Sequence, residues 1–151
     1  MMRMRKGTPM SMKRVAALMS LLMAALPCAS AEWKSLRRNA TAMLSVDTQS
    51  ILRKGDEVTL QYLVDFRASP ATADGKSPYR SIVVSAKVNC GARAIALVNT
   101  DAYAQYGAKG VIIARTAPSA AEASYKPLER STSDEDVWRY ACQEKKAPAK
   151  K

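Results

Sequence analysis

The 151 residues include 24 Lys and Arg, 13 Asp and Glu, three Cys and no His, which bounds the chain to one modest, basic domain. Without His, the Ser-His-Asp and Cys-His nucleophiles, His-ligated zinc and imidazole proton shuttles are excluded. A binding protein is therefore favoured over an enzyme, and no catalytic residue, cofactor or metal is expected.

The N-terminus opens with Arg3, Arg5, Lys6, Lys13 and Arg14, then an apolar run from Val15 to Leu26 interrupted only by Ser20. That order is the order of a secretory signal peptide. The run is too short for a spanning helix, and Pro27 ends it ahead of Ala29-Ser30-Ala31, small residues of the kind signal peptidase accepts. Cleavage is expected after Ala31, so that residues 1–31 leave, with Met12 the expected true start. Cys28 does not fit a lipidation signal, since Ala25 and Pro27 hold the positions where Leu and a small residue are usual. Neither an acyl anchor nor a transmembrane segment is expected in the mature chain.

The mature domain is expected over residues 32–144. Ala42, Leu44 and Val46 alternate with Met43, Ser45 and Asp47 as in a half-buried strand, and Lys54-Gly55-Asp56 reads as a turn. The clearest alternation follows, with Val58, Leu60, Tyr62, Val64 and Phe66 on one face. After a loop from Ala68 to Pro78 with Asp74-Gly75 inside it, the same period returns at Ile82, Val84, Ala86, Val88 and Cys90, so Cys90 points inward. Gly91 permits a sharp turn before a strand over Ala92 to Val98, and Val111-Ile112-Ile113 follows Gly107 and Gly110 as a last short strand. No segment between these strands is long and periodic enough for a crossover helix. An antiparallel sheet of about five to six strands is therefore expected.

Beyond Ser131 the period changes. Thr132 and Glu135 have capping-box spacing, and Asp134-Glu135-Asp136 place acids in a first helical turn. The cluster is better explained by helix electrostatics than by catalytic carboxylates. Val137, Trp138, Ala141 and Cys142 share one side of that helix. Export removes Cys28 and leaves Cys90 and Cys142, an even count in an oxidising space, so one disulfide is expected to join helix and sheet. The loop it closes, 52 residues long, makes the bond worth roughly 4 kcal/mol on the chain-entropy model. The fold class is thus α+β, with one C-terminal helix on one sheet face.

Residues 145–151, with Lys145, Lys146, Lys150 and Lys151, form a basic tail with nothing to bury, expected to be disordered. Taking away the five basic residues of the signal leaves 19 against 13 acids, and four of those sit in the tail. Nucleic acid is accordingly not an expected partner. Candidate contacts for an acidic or sulfated surface are Arg37, Arg38, Arg53 and Lys54. Tyr79, Tyr103 and Tyr106 are candidate aromatic anchors near expected strand ends or loops, with Trp33 and Tyr125 further examples.

Trp33, Asp47, Ser50-Ile51, Gly55, Ser81, Tyr103, Gly110, Pro127, Ser131 and Trp138-Arg139-Tyr140-Ala141-Cys142, in that order, resemble the surface-adhesin protein E family of small exported Gram-negative proteins. The resemblance spans nearly all the mature chain. It implies an antiparallel sheet with a C-terminal helix, structural roles for Gly55, Gly110 and Pro127, and adhesion to host extracellular-matrix or serum glycoproteins; Trp138 is expected to be structural from its place on the helix face beside Cys142. Tyr125 stands where the family often has Trp, and Glu129-Arg130 where Pro-Gly is common. The implied place is the periplasm or the cell surface; separately, an exposed sheet edge makes a second copy of the chain a further expected partner. The alternatives are a periplasmic enzyme inhibitor of the lysozyme-inhibitor kind, equally small, β-rich and disulfide-bonded, and a structural envelope protein.

Overall fold

The computed structural model describes residues 31–143; the expected signal, apart from Ala31, and the basic tail lie outside them. Eight strands and one helix follow in chain order: β1 Trp33–Arg38, β2 Ala42–Asp47, β3 Leu52–Lys54, β4 Glu57–Phe66, β5 Ser81–Asn89, β6 Ala94–Gln105, β7 Lys109–Thr116, β8 Lys126–Pro127 and α1 Ser133–Gln143. The strand order is β1-β2-β4-β5-β6-β7 and every pairing is antiparallel. β4, β5 and β6 run uninterrupted through the middle. The flank of β4 is shared by β2, opposite Tyr62 to Phe66, and β3, opposite Glu57 to Thr59. The flank of β6 is likewise shared by β7 and β8.

The period-two register places Val58, Leu60 and Tyr62 of β4 opposite Val88, Ala86 and Val84 of β5, all buried on one face with Leu44, Val46 and Ile95. Against them α1 sets Val137 and Ala141, both fully buried, with Trp138 and Cys142 partly buried beside them. Arg139 and Gln143 are exposed, as the helical wheel requires. Cys90 and Cys142 form the disulfide, with Cα atoms 5.5 Å apart. The expected fold class, helix face and sulfur pairing therefore stand.

Strand extents depart from expectation at both flanks. β1 is a strand that the sequence hides, because it is an edge strand with a register shift between Ser35 and Arg37, so no alternation survives. β6 continues to Gln105 rather than ending near Val98, which puts Tyr103 inside a strand and not at a strand end. The polar run Asn99-Thr100-Asp101 lies within the ladder to β5 and β7. The apolar triplet at 111–113 is the middle of an eight-residue edge strand, and Val111 and Ile112 are 68% and 42% exposed. At Gly55 the two-residue turn between Lys54 and Glu57 has its only positive φ, +63°, the geometry of a type II′ hairpin turn.

Candidate functional site

The two ends of the sheet differ. At one, the disulfide, α1 and the short strands β3 and β8 close the core. At the other, three connections meet: the turn 39–41, the loop 67–80 and the turn Tyr106–Ala108. Thr41 carbonyl accepts from the N–H of Arg67 at 2.9 Å, tying the first to the second. The third is fastened from beneath. Buried Asp65 accepts the Gly107 N–H at 2.7 Å, while Ser81 Oγ donates to the Gln105 carbonyl at 2.6 Å and accepts the Ala108 N–H at 3.1 Å. Asp65 and Ser81, buried on the face away from α1, thus satisfy each other's neighbourhood and position Tyr106.

The cations proposed from sequence separate into two groups. Arg37 is committed to α1, its guanidinium 3.1 Å from Asp136 Oδ2 and 3.2 Å from the Ser131 carbonyl. Arg53 donates to the Ala141 carbonyl in the last turn, where a cation also complements the helix dipole. These two arginines hold the start and end of the helix to β1 and β3, and Lys54 lies exposed in the neighbouring hairpin turn. Arg38 points instead to the open end, where with Met43, Asp65, Phe66, Arg67 and Tyr106 it lines a shallow hollow of about 260 Å³. Neighbouring strand residues face opposite sides of the sheet, which separates Arg37 from Arg38, but the sequence hides β1 and so offers no means to tell them apart.

The aromatic candidates also differ in their surroundings. Tyr106 is 47% exposed, and its hydroxyl accepts from Arg80 Nη1 at 2.9 Å while the Arg80 guanidinium lies 5.3 Å from its ring centre. Tyr79 packs edge-on against Phe66, centroids 5.8 Å apart. Tyr103 is half-buried opposite Ser81. Arg67 and Arg80, which isolated dipeptide reasoning passed over, therefore join Arg38 and Tyr106; their signal is that each flanks an expected strand end. On the helix side of the sheet, Tyr79 borders a second groove of about 500 Å³ between the loop 71–79 and Ile82, Ala102, Ala114 and Thr116.

Titration behaviour follows the packing. Burial, then the neighbouring Asp134, pushes the Tyr62 phenol far above its usual range, and its hydroxyl donates to Asp134 Oδ1 at 3.4 Å. Burial likewise raises Asp134, against the opposing effects of that bond and of Lys126. The pair couples the first turn of α1 to β4. Partial burial, followed by the bond to Glu57, leaves the Tyr125 phenol pushed up to about 12; it donates to Glu57 Oε2 at 2.6 Å. Among the described residues no cluster of three or more His, Cys, Asp or Glu could hold a metal, and no helix is long and apolar enough to cross a membrane.

The fold matches solved structures of protein E from Haemophilus influenzae. One is 20% identical, with 74% of this chain and 84% of that chain covered at a TM-score of 0.56. A second crystal form gives 18% identity, 72% and 92% coverage and 0.54. Protein E from non-typeable Haemophilus influenzae gives 19%, 78% and 81%, and 0.54. At these identities the likeness is one of fold. No curated protein matches significantly. The family model described as Surface-adhesin protein E matches residues 33–143, from the first residue of β1 to the last of α1, and the chain belongs to that family.

Proposed function

We propose that this chain is an exported, non-enzymatic adhesin that contacts a host extracellular-matrix or serum glycoprotein through an exposed protein surface. The observation supporting this reading is the reach of the family match over the whole described domain. In this reading the signal segment is removed after Ala31, the mature protein carries no lipid anchor, and the working surface is the open end of the sheet with Arg38, Tyr79 and Tyr106. The free edge of β7, with Val111 and Ile112 exposed, offers a second copy a strand with which to pair. Purified mature protein, assayed on laminin and vitronectin at physiological salt, should bind above a charge-matched control. Surface labelling of intact cells should reach it. Equal binding by the control, together with protection from labelling, would remove the adhesin reading.

A further inference from the structure

We propose that the open end of the sheet binds the sulfate groups of a sulfated glycan, with Arg38, Arg67, Arg80 and Lys109 as the anion-contacting cations. This deepens the adhesin reading and rests on it, since it names the chemistry of the partner. What singles out the three arginines is how the other arginines are used. Arg37, Arg93, Arg115 and Arg139 each lie within 4.0 Å of a carboxylate oxygen. Arg130 acts electrostatically on Glu135, and Arg53 is bonded to a helix carbonyl. Among the described residues, Arg38, Arg67 and Arg80 have no carboxylate partner, and all three lie at one end of the sheet.

Their few contacts leave donors open. Among the described residues, Arg38 reaches only Met43 Sδ, at 3.4 Å, and Arg80 meets only the Tyr106 hydroxyl and ring. Arg67 lines the same hollow as Arg38 and Tyr106. Lys109 follows the same turn, its Cε 3.9 Å from where a Cβ on Gly107 would sit. The carboxylate in the hollow, Asp65, is buried and accepts the Gly107 N–H. Asp74, in the loop 67–80, accepts from Thr72 Oγ1 and the Lys76 N–H.

A guanidinium presents a planar fork of donors that fits the oxygens of a sulfate two at a time. The hollow, about 260 Å³, is smaller than the ~300–1,000 Å³ of enclosed small-molecule sites, so it admits one ring or one anionic group of a longer chain. Met43, Phe66 and the Tyr106 ring give that hollow apolar walls against which the carbon face of a sugar can rest. Cations spaced around a concave hollow suit the separate sulfates of a chain of rings better than a flat anionic bilayer, which presents its charges in one plane.

The test uses the mature protein and a heparin-derived octasaccharide, with hyaluronan of equal length as the carboxylate-only control and phosphatidylserine vesicles as the lipid control. The octasaccharide should bind at physiological salt and weaken as salt rises, and the two controls should bind at least about tenfold more weakly. The double variant Arg67→Gln, Arg80→Gln should lose about tenfold in octasaccharide affinity, whereas Lys54→Gln should change it by less than about twofold. Melting temperatures of both variants should match the parent. Equal loss in the two variants, equal binding of hyaluronan, or tighter binding to vesicles overturns the proposal. If matrix glycoprotein is bound but the octasaccharide is not, the sulfate assignment falls and the adhesin reading survives; if neither is bound, both fall.

Discussion

Ser81 shows how much one buried hydroxyl can organise. It is fully buried and serves both the Gln105 carbonyl and the Ala108 N–H, so Ser81→Ala strands two backbone groups and should cost about 2 kcal/mol in chemical denaturation. Loss of less than about 0.5 kcal/mol would mean that water replaces the hydroxyl. The carboxylates of the helix start carry opposite pH signs. Glu135 is lowered by the Ser131 N–H at 2.7 Å and then by Arg139, Arg93 and Arg130. Its contribution to stability is complete above the ordinary Glu range and disappears as pH falls through the lowered value. Asp134 is raised by burial, so the folded state holds its proton more tightly than the unfolded chain does, and ionisation above that range costs stability. Glu135→Gln should therefore lower the melting temperature more at pH 7 than at pH 3. Asp134→Asn should become relatively more favourable as pH rises across the same interval. Parallel curves for the two variants would refute this assignment.

At the scale of elements, α1 is held by a staple and two clamps. Opening the disulfide by Cys90→Ser with Cys142→Ser releases a loop of 52 residues and should remove about 4 kcal/mol, read as a fall in the denaturation midpoint. Val137 and Ala141 remain buried against the sheet in the reduced protein only if packing alone suffices. Tyr125→Phe should act more locally. Its bond to Glu57 holds the segment that supplies the Glu122 carbonyl to the Leu97 N–H, so exchange at Leu97 should accelerate while global stability changes by less than about 1 kcal/mol. The helix was legible in the sequence down to its inward stripe. Even the capping pattern is present, with Thr132 Oγ1 accepting the Glu135 N–H at 3.2 Å. Glu135, however, reaches back to Ser131 rather than to Thr132, because Ser131 adopts a positive φ of +63° and turns its N–H toward the helix. β4 and β5 were equally legible, since one face is buried along most of their length. β1, the far half of β6 and β8 were not, because edge exposure and register shifts erase the period-two signal there. The site was legible as residue types and not as a place: whether an arginine is spent on the helix or left open depends on which side of a strand it leaves.

For the whole molecule, the two ends of the sheet are built differently. Val111→Lys places a charge on the outer edge strand and should shift sedimentation toward the monomer, whereas a parent that is monomeric at every concentration would exclude pairing through β7. Three continuous strands, β4, β5 and β6, connect the ends, and each flank is built in two separate pieces. On the flanks, therefore, no single strand runs from one end to the other. The connections 39–41 and 67–80 lie away from the sulfur link, whereas 106–108 is tied into the sheet by Asp65 and Ser81. Recharging the first two connections therefore leaves the anchorage of the helix's last turn, at the far end of the sheet, untouched.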